Sequence, residues 1–332
     1  MSRPRRRPRR IPPPASISAA ARAFLSAAAD APDWPPYPAP SDASGWTRWI
    51  TALEQMTAAM IAGPDLSPQV DCQTLDLGGT NTYLATPRGD ALSSAQGVVL
   101  DIHGGALVLA GGEACRYVGT LTALRTGARC YAVDYRMPPR HPFPAALDDC
   151  IAAYAALVNQ HGADNIVVTG LSAGGNLAAA LGLRARDEGL PLPAGLVLLS
   201  PELDLSESGD SFQVNLDADV VLRRGLKAIN LMYANGQDLG HPYLSPLFGD
   251  FRAGFPPTFL QAGTRDLFLS NAVRMYTALR KAGVPAELRI CEGMPHGGFG
   301  GAPEDLELAA EVRRFVKSCW PTRPPTETRD SV

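Results

Sequence analysis

Three side chains of the sequence could together generate a nucleophile. Ser172 lies in "GLSAGGNLA", residues 170–178, between the apolar run "NIVVTG" and an alanine-rich helical pattern. His296 lies in "PHGGF" and Asp266 in "GTRD". A serine hydroxyl is a poor nucleophile near neutral pH, so it needs an imidazole base and a carboxylate that orients the imidazole. The chain holds residues of all three types in an order that suits this chemistry.

The surroundings of Ser172 predict a sharp turn between a strand and a helix. Gly170 and Gly174 flank the serine two positions away on either side, which is the G-x-S-x-G pattern of a nucleophile elbow. With 32 glycines in 332 residues the pattern alone is weak evidence. Its position between an apolar run and a helix is what indicates a catalytic serine.

The base must come from one of five histidines, at positions 103, 141, 161, 241 and 296. His296 follows the last predicted strand, so a loop at the same sheet edge could bring its ring over Ser172. His103 lies in a glycine turn, where a structural role is expected. We therefore predict His296 as the base.

The orienting acid has three candidates, because Asp134, Asp204 and Asp266 each follow a predicted strand. The chain order Ser, Asp, His is the order expected of an α/β-hydrolase sheet, and it favours Asp266. For Asp134, which is followed by Tyr135 and Arg136, we expect a structural ion pair instead.

A glycine turn could supply hydrogen-bond donors for an oxyanion. The segment "HGGA" places Gly104, Gly105 and Ala106 directly after a predicted strand, where small side chains let backbone N–H groups approach a ligand. Ala173 adds an N–H at the start of its helix. The alternative interpretation is a turn with no function.

The elements that must position these residues alternate between strands and helices. Predicted strands cover 70–77, 81–86, 97–103, 129–135, 165–170, 195–200, 257–263 and 286–293, with helices between most of them. The first two strands form a hairpin, and the later ones are continuous apolar runs typical of a sheet covered on both faces. The fold class is therefore α/β, with a mostly parallel eight-stranded sheet, helices on both faces and a helical cap.

Two segments without strands, 15–69 and 204–250, are predicted to form the cap. The hydrolase core then comprises 70–203 and 251–320, between a disordered basic tail, 1–14, and a disordered tail, 321–332. The first cap segment contains the large side chains Trp34, Tyr37, Trp46, Trp49, Met56 and Met60. These side chains either line a substrate pocket or form the core of the cap itself.

Composition excludes several classes of protein. The net charge is −3, but the first ten residues, "MSRPRRRPRR", carry six arginines, so the remainder has 30 − 6 = 24 bases and 33 acids, a net charge of −9. A protein that binds nucleic acid would need a basic surface on its folded part, so the acidic remainder argues against a nucleic-acid partner. No apolar run in the sequence is long enough to span a membrane. The spacing of the six cysteines matches neither a metal site nor a framework of disulfide bonds. Prolines and Arg22 interrupt any secretory signal, so we expect a cytoplasmic location.

Over roughly residues 70–318 the sequence resembles the hormone-sensitive-lipase-like esterases of the α/β-hydrolase fold. The motifs are "HGGA" (103–106), "YRMPPRHPFPAALDD" (135–149), "GLSAGGNLA" (170–178), "HPYLSPL" (241–247), "GTRD" (263–266) and "PHGGF" (295–299). The resemblance implies Ser172, Asp266 and His296 as a catalytic triad. It implies an oxyanion hole at Gly105, Ala106 and Ala173, in the turn that begins at Gly104.

The resemblance further implies a serine carboxylic-ester hydrolase for small to medium acyl esters, without a cofactor or metal. A lactone hydrolase or deacetylase of the same family is an alternative, and so is a non-catalytic binder of a small molecule. Relatives often dimerise, so the resemblance also allows a homodimer. Two positions depart from the family pattern: Ala106 replaces a third glycine, and Leu171 precedes the serine where an acid or threonine is common. We expect both departures to affect substrate selectivity.

Overall fold

The computed structural model describes residues 11–39, 41–61, 64–89 and 97–321. Residues 1–10 of the predicted basic tail and residues 322–332 of the C-terminal tail lie outside this part of the chain, as does the side chain of Met60. No helix within the described residues is both long and apolar enough to cross a bilayer.

Eight strands form one sheet within the described residues. They are β1 (Val70–Leu77), β2 (Thr80–Pro87), β3 (Val98–Ile102), β4 (Arg129–Val133), β5 (Ile166–Leu171), β6 (Gly195–Leu199), β7 (Thr258–Gly263) and β8 (Ala286–Cys291). Their order across the sheet is β1-β2-β4-β3-β5-β6-β7-β8. The first two strands pair antiparallel, β2 also runs antiparallel to β4, and all remaining pairs are parallel. The predicted sheet is confirmed.

The burial of each strand follows its position in the sheet. Every residue of the central strand β3 is buried, as expected for an apolar run covered on both faces. The edge strand β8 instead alternates between more and less exposed residues, and β1 is buried only at its two end residues. Apolar periodicity therefore separates central strands from edge strands in this chain.

The helices are α1 (Ala19–Ala29), α2 (Ala43–Ile61), α3 (Glu113–Thr126), α4 (Ala145–His161), α5 (Ala173–Asp187), α6 (Ser211–Val214), α7 (Lys227–Ala234), α8 (Leu269–Lys281) and α9 (Pro303–Cys319). Helices α4, α5 and α8 pack on one face of the sheet, in a core with β3, β5 and β6. Helices α3 and α9 pack together on the other face. The sheet is thus buried between two helical layers.

The two segments without strands contact each other on one side of this core. Arg223, from the second segment, donates to Ala31 O at 2.6 Å, and Arg224 donates to Trp34 O at 2.6 Å. The Tyr37 hydroxyl donates in return to Gly225 O at 3.2 Å. Side chains of α2 and α7 also share an apolar cluster. Segments that are far apart in the sequence therefore pack as one unit.

Residues 11–14, which belong to the predicted basic tail, contact the loop after β7. Arg265 donates to Ile11 O at 3.3 Å and to Pro12 O at 2.5 Å. The guanidinium of Arg265 thus joins residues 11 and 12 to the loop after β7, a contact that no local pattern in the sequence predicts.

Candidate active site

Ser172 occupies a strained turn between β5 and α5. Its φ of 59° and ψ of −120° are unusual for a residue with a side chain. The backbone crowds this corner: a Cβ added to Gly170 would lie 2.2 Å from Gly174 O, and one added to Gly174 would lie 1.8 Å from Ile102 O. Glycine at both positions is therefore a steric requirement, and the turn directs the serine hydroxyl away from the sheet.

The structure brings Ser172, His296 and Asp266 together. His296 Nε2 lies 2.9 Å from Ser172 Oγ, and His296 Nδ1 lies 3.2 Å from Asp266 Oδ1. The same Asp266 oxygen also accepts a hydrogen bond from Phe268 N at 2.8 Å. Phe268 packs edge-on against the imidazole, with 4.9 Å between the ring centroids. This geometry lets the imidazole accept the hydroxyl proton while the carboxylate holds the ring.

The competing acids have other partners. Asp204 is fully buried and pairs with Arg274 at 2.8 Å. Asp134 accepts hydrogen bonds from Gly112 N and Asn81 Nδ2 at 2.9 and 3.0 Å. The ion pair that the sequence analysis expected for Asp134 forms elsewhere, because Arg136 binds Asp149 at 2.7 Å.

The other histidines also have partners of their own. The Tyr131 hydroxyl lies 3.2 Å from His161 Nε2, and Tyr243 N donates to His241 Nδ1 at 3.1 Å. His103 is buried, which lowers its pKa to about 4, and its ring stacks on Tyr135 with 4.1 Å between the centroids. It therefore stays neutral near pH 7 and is built into the turn, as the sequence analysis expected.

The glycine turn lies beside Ser172. Gly104, Gly105 and Ala106 line the same cavity as Ser172 and His296. Ala106 has a φ of 52°, so its backbone adopts a left-handed conformation that glycine would adopt more easily. Within the described residues, the N–H groups of Gly105, Ala106 and Ala173 donate to no other protein group. These donors are available to a bound oxygen atom.

Known proteins share this arrangement of elements. Residues 99–299 match the protein family described as the alpha/beta hydrolase fold. An esterase of Acinetobacter venetianus is 35% identical over 244 residues, which cover 71% of this chain and 80% of that protein. The crystal structure of the esterase E25 covers 95% of this chain and 98% of its own, with 35% identity and a TM-score of 0.84.

A hormone-sensitive lipase from a metagenome library is also similar. Its crystal structure covers 90% of this chain and 98% of its own, with 30% identity and a TM-score of 0.77. The chain belongs to the hormone-sensitive-lipase-like family of α/β-hydrolases. The resemblance inferred from the six sequence motifs is confirmed.

In this member of the hormone-sensitive-lipase-like family, buried charge controls the protonation of His296. Burial alone lowers the pKa of the imidazole, since it disfavours the charged form. The charge and hydrogen bond of Asp266, followed by the charge of Asp219, outweigh that effect. The pKa of His296 is therefore raised above its ordinary value of 6.5.

Sequence reasoning missed Asp219, which lies within the second predicted cap segment. Its Oδ2 accepts from Leu267 N at 2.9 Å, in the loop that carries Asp266, and its Oδ1 lies 3.4 Å from His296 N. Oδ1 also accepts from Val221 N at 2.9 Å. Burial and the charge of Asp266 raise the pKa of Asp219 to about 6. One carboxylate thus joins three loops, and no local pattern marks it.

Sequence reasoning also missed Glu202. This residue follows the end of β6, and a position after a strand was the reason for considering Asp204. The N–H of Glu202 donates to Ser172 O at 3.2 Å, and its Oε1 accepts from Asn230 Nδ2 at 2.9 Å. The side chain is fully buried, and this burial raises its pKa to about 8. The residue hydrogen-bonded to the backbone of Ser172 is therefore a glutamic acid whose side chain is mostly protonated at pH 7.

A cavity of about 1280 Å³ opens at Ser172. Part of its wall is apolar, with Ala106, Leu109, Leu222 and Leu226. Another part is polar, with Asp71, Arg88, Glu113 and Arg116. The volume exceeds the range of about 300–1,000 Å³ typical of small-molecule sites. The cavity therefore has space for more than the shortest acyl groups.

The aromatic side chains of the first predicted cap segment either pack together or line the cavity. Trp46 and Trp49 are buried and pack edge to face, with 5.5 Å between their centroids. Trp34, which contacts Trp49, also lines the cavity. Met56 is 45% exposed. The aromatic cluster is thus mainly a core of its own, with one tryptophan reaching the substrate side.

Proposed function

We propose that this protein hydrolyses carboxylic esters through an acyl-enzyme intermediate, with Ser172, His296 and Asp266 as the catalytic triad. The observation that carries the proposal is the pair of short contacts at His296, 2.9 Å to Ser172 Oγ and 3.2 Å to Asp266 Oδ1. The esterases among the relatives support the same reaction.

In the first half of the reaction, Ser172 Oγ attacks the acyl carbon while His296 Nε2 accepts the hydroxyl proton. The carbonyl oxygen becomes an anion, which the N–H groups of Gly105, Ala106 and Ala173 would stabilise. When the bond to the alcohol breaks, His296 returns the proton to the leaving oxygen. Asp266 stabilises the imidazolium that exists between these two transfers.

In the second half, water attacks the acyl-enzyme. His296 accepts a proton from the water, a second oxyanion forms at the same N–H groups, and the ester bond to Ser172 breaks. The proton then returns to Ser172 Oγ, so the enzyme is regenerated and a carboxylic acid leaves. No step requires an oxidant or a cofactor.

The packed segments 15–69 and 204–250 support a cap over this site, because Trp34 and Leu222, one from each, line the cavity. The apolar residues of the cavity wall suit small to medium acyl chains. Lactones remain the second candidate, since a cyclic ester fits the same mechanism. The homodimer and the cytoplasmic location stay predictions from the sequence.

The deciding experiment is the substitution Ser172→Ala. Turnover of p-nitrophenyl butyrate should fall by about 10³ to 10⁶, because triad residues act as a unit. A fluorophosphonate should add its mass to the wild-type chain, measured by intact mass spectrometry, and leave the variant unlabelled. Ser44→Ala, at an exposed serine in α2, is the matched control and should keep both activities. Labelling or turnover retained in Ser172→Ala would refute Ser172 as the nucleophile, whereas a wild-type chain that shows neither would favour a binder.

A substrate panel tests the acyl preference. We expect p-nitrophenyl esters of short and medium acids, or small lactones, to be hydrolysed with higher kcat/KM than long-chain triglycerides. Equal rates on long triglycerides would contradict a capped site.

A further inference from the structure

Three potential metal ligands converge beside the glycine turn. One donor atom each from His103, Cys115 and Asp134 lies within 4.8 Å of the other two. His103 follows β3, Cys115 lies in the first turn of α3, and Asp134 follows β4. Because three separate elements supply the ligands, the cysteine spacing in the sequence gives no sign of the cluster.

The imidazole of His103 has a lone pair without a partner. Its Nδ1 lies 2.7 Å from Gly104 O, and a carbonyl oxygen only accepts, so Nδ1 carries the hydrogen. In the neutral ring, Nε2 then holds the lone pair. This atom is buried and has no hydrogen-bond partner within the described residues. Buried polar atoms are usually paired, so an unpaired nitrogen on a ring that lies close to a thiol and a carboxylate points to a ligand bound at this cluster.

The other two groups complete a donor set typical of zinc. Hydrogen bonds from Gly112 N and Asn81 Nδ2 orient the carboxylate of Asp134. The Cys115 side chain is fully buried. Imidazole, thiolate and carboxylate are the side chains that bind Zn²⁺ in proteins, and three of them leave a fourth position for water.

We propose that His103, Cys115 and Asp134 form a Zn²⁺ site and that zinc bound there inhibits catalysis at Ser172. On binding, the Cys115 S–H bond breaks, an S–Zn bond forms and the proton passes to water. Residues on the cavity wall lie next to the site, since a Cβ added to Gly111 would lie 3.0 Å from Asp134 Oδ1.

The inhibition follows from the connection between His103 and the turn. Zinc holds its ligands at roughly 2.0–2.3 Å in tetrahedral directions, so binding it would draw His103, Cys115 and Asp134, whose donor atoms lie within 4.8 Å of one another, into the positions that this coordination requires. His103 is followed directly by Gly104, Gly105 and Ala106, and its carbonyl accepts from the Tyr135 hydroxyl at 3.0 Å. A shift of His103 therefore moves the N–H groups proposed to stabilise the oxyanion.

Cobalt(II) is the probe for binding, because a thiolate ligand gives it a charge-transfer absorption in the near ultraviolet. The full-length wild-type chain should develop this band with one Co²⁺ bound, and Zn²⁺ should displace it. In Cys115→Ala the band should vanish, and the affinity for Zn²⁺ should fall by at least about tenfold. Cys130→Ala is the matched control, since Cys130 is equally buried and lies outside the cluster. It should keep both the band and the affinity.

Inhibition is measured separately, on p-nitrophenyl butyrate with EDTA or with added Zn²⁺. The inhibition constant for zinc should rise at least tenfold in Cys115→Ala and stay the same in Cys130→Ala. Absence of the band in the wild type, or its persistence in Cys115→Ala, would overturn the zinc site. If Cys115→Ala does not fold, the wild-type spectrum alone decides. Hydrolysis in EDTA that depends on Ser172 supports the proposed function whatever the metal result, so the two proposals can fail independently.

Discussion

At the scale of single residues, the imidazole of His296 lies close to buried carboxyl groups that favour its charged form. The base must be neutral to accept a proton, so activity should be lost as the pH falls through its pKa. Because that pKa is raised, we expect kcat/KM to increase with pH through an apparent pKa above about 6.5. A rate profile from pH 5 to 9 measures it, and a flat profile would contradict the role of His296.

The substitution Asp219→Asn tests the carboxylate that joins the three loops. It removes a negative charge near His296, so the acid limb of the rate profile should move to lower pH. It also weakens the bonds to Leu267 N and His296 N, and we expect kcat to fall by about tenfold or more because small misplacements of catalytic groups are costly. Asp217→Asn, at an exposed acid of the same segment, is the control. If kcat falls but the acid limb of the rate profile stays at the same pH, the role of Asp219 is purely structural.

At the scale of elements, the junction of β5 with α5 depends on the close approach of α5 to β3. Gly174→Ala would place a methyl group 1.8 Å from Ile102 O, and neither backbone can shift without breaking the sheet or the helix. We expect at least about 1–3 kcal/mol of destabilisation, seen as a Tm lowered by several degrees or as insoluble protein.

Gly240→Ala is the matched control for that substitution. Its added Cβ would meet its nearest neighbour, Asp238, at 3.5 Å, which is an ordinary contact. Its Tm should stay close to that of the wild type. Equal stability of Gly174→Ala and Gly240→Ala would mean that the elbow tolerates a wider spacing between helix and sheet.

At the scale of the whole molecule, Glu202 links global stability to pH. Burial raises its pKa from 4.5 to about 8 in the folded protein, so the folded chain keeps a proton that the unfolded chain releases. Its contribution to stability is therefore complete below about pH 4.5 and declines as the pH rises towards 8. Glu202→Gln cannot ionise, so its Tm relative to the wild type should be higher at pH 9 than at pH 5. A Tm difference that does not change with pH would contradict the burial of an ionisable Glu202.

The sequence by itself determined the sheet and the turns at its edge. Apolar runs, glycines and their spacing are local features, and local sterics and periodicity fix strands, helices and the elbow around Ser172. Local patterns do not predict the contact of Arg265 with residues 11 and 12, because more than 250 residues separate these partners in the sequence.

Only the tertiary structure decided which side chains meet. Asp134, Asp204 and Asp266 all follow strands, and packing alone brings Asp266 to His296 while pairing Asp204 with Arg274. Likewise, Asp219 reaches His296 because the segment that carries it folds back over the core. The periodicity of apolar residues predicts which face of a helix or strand is buried. Contacts between residues that are far apart in the sequence depend instead on how whole helices and strands pack. No local pattern in a single sequence specifies this packing.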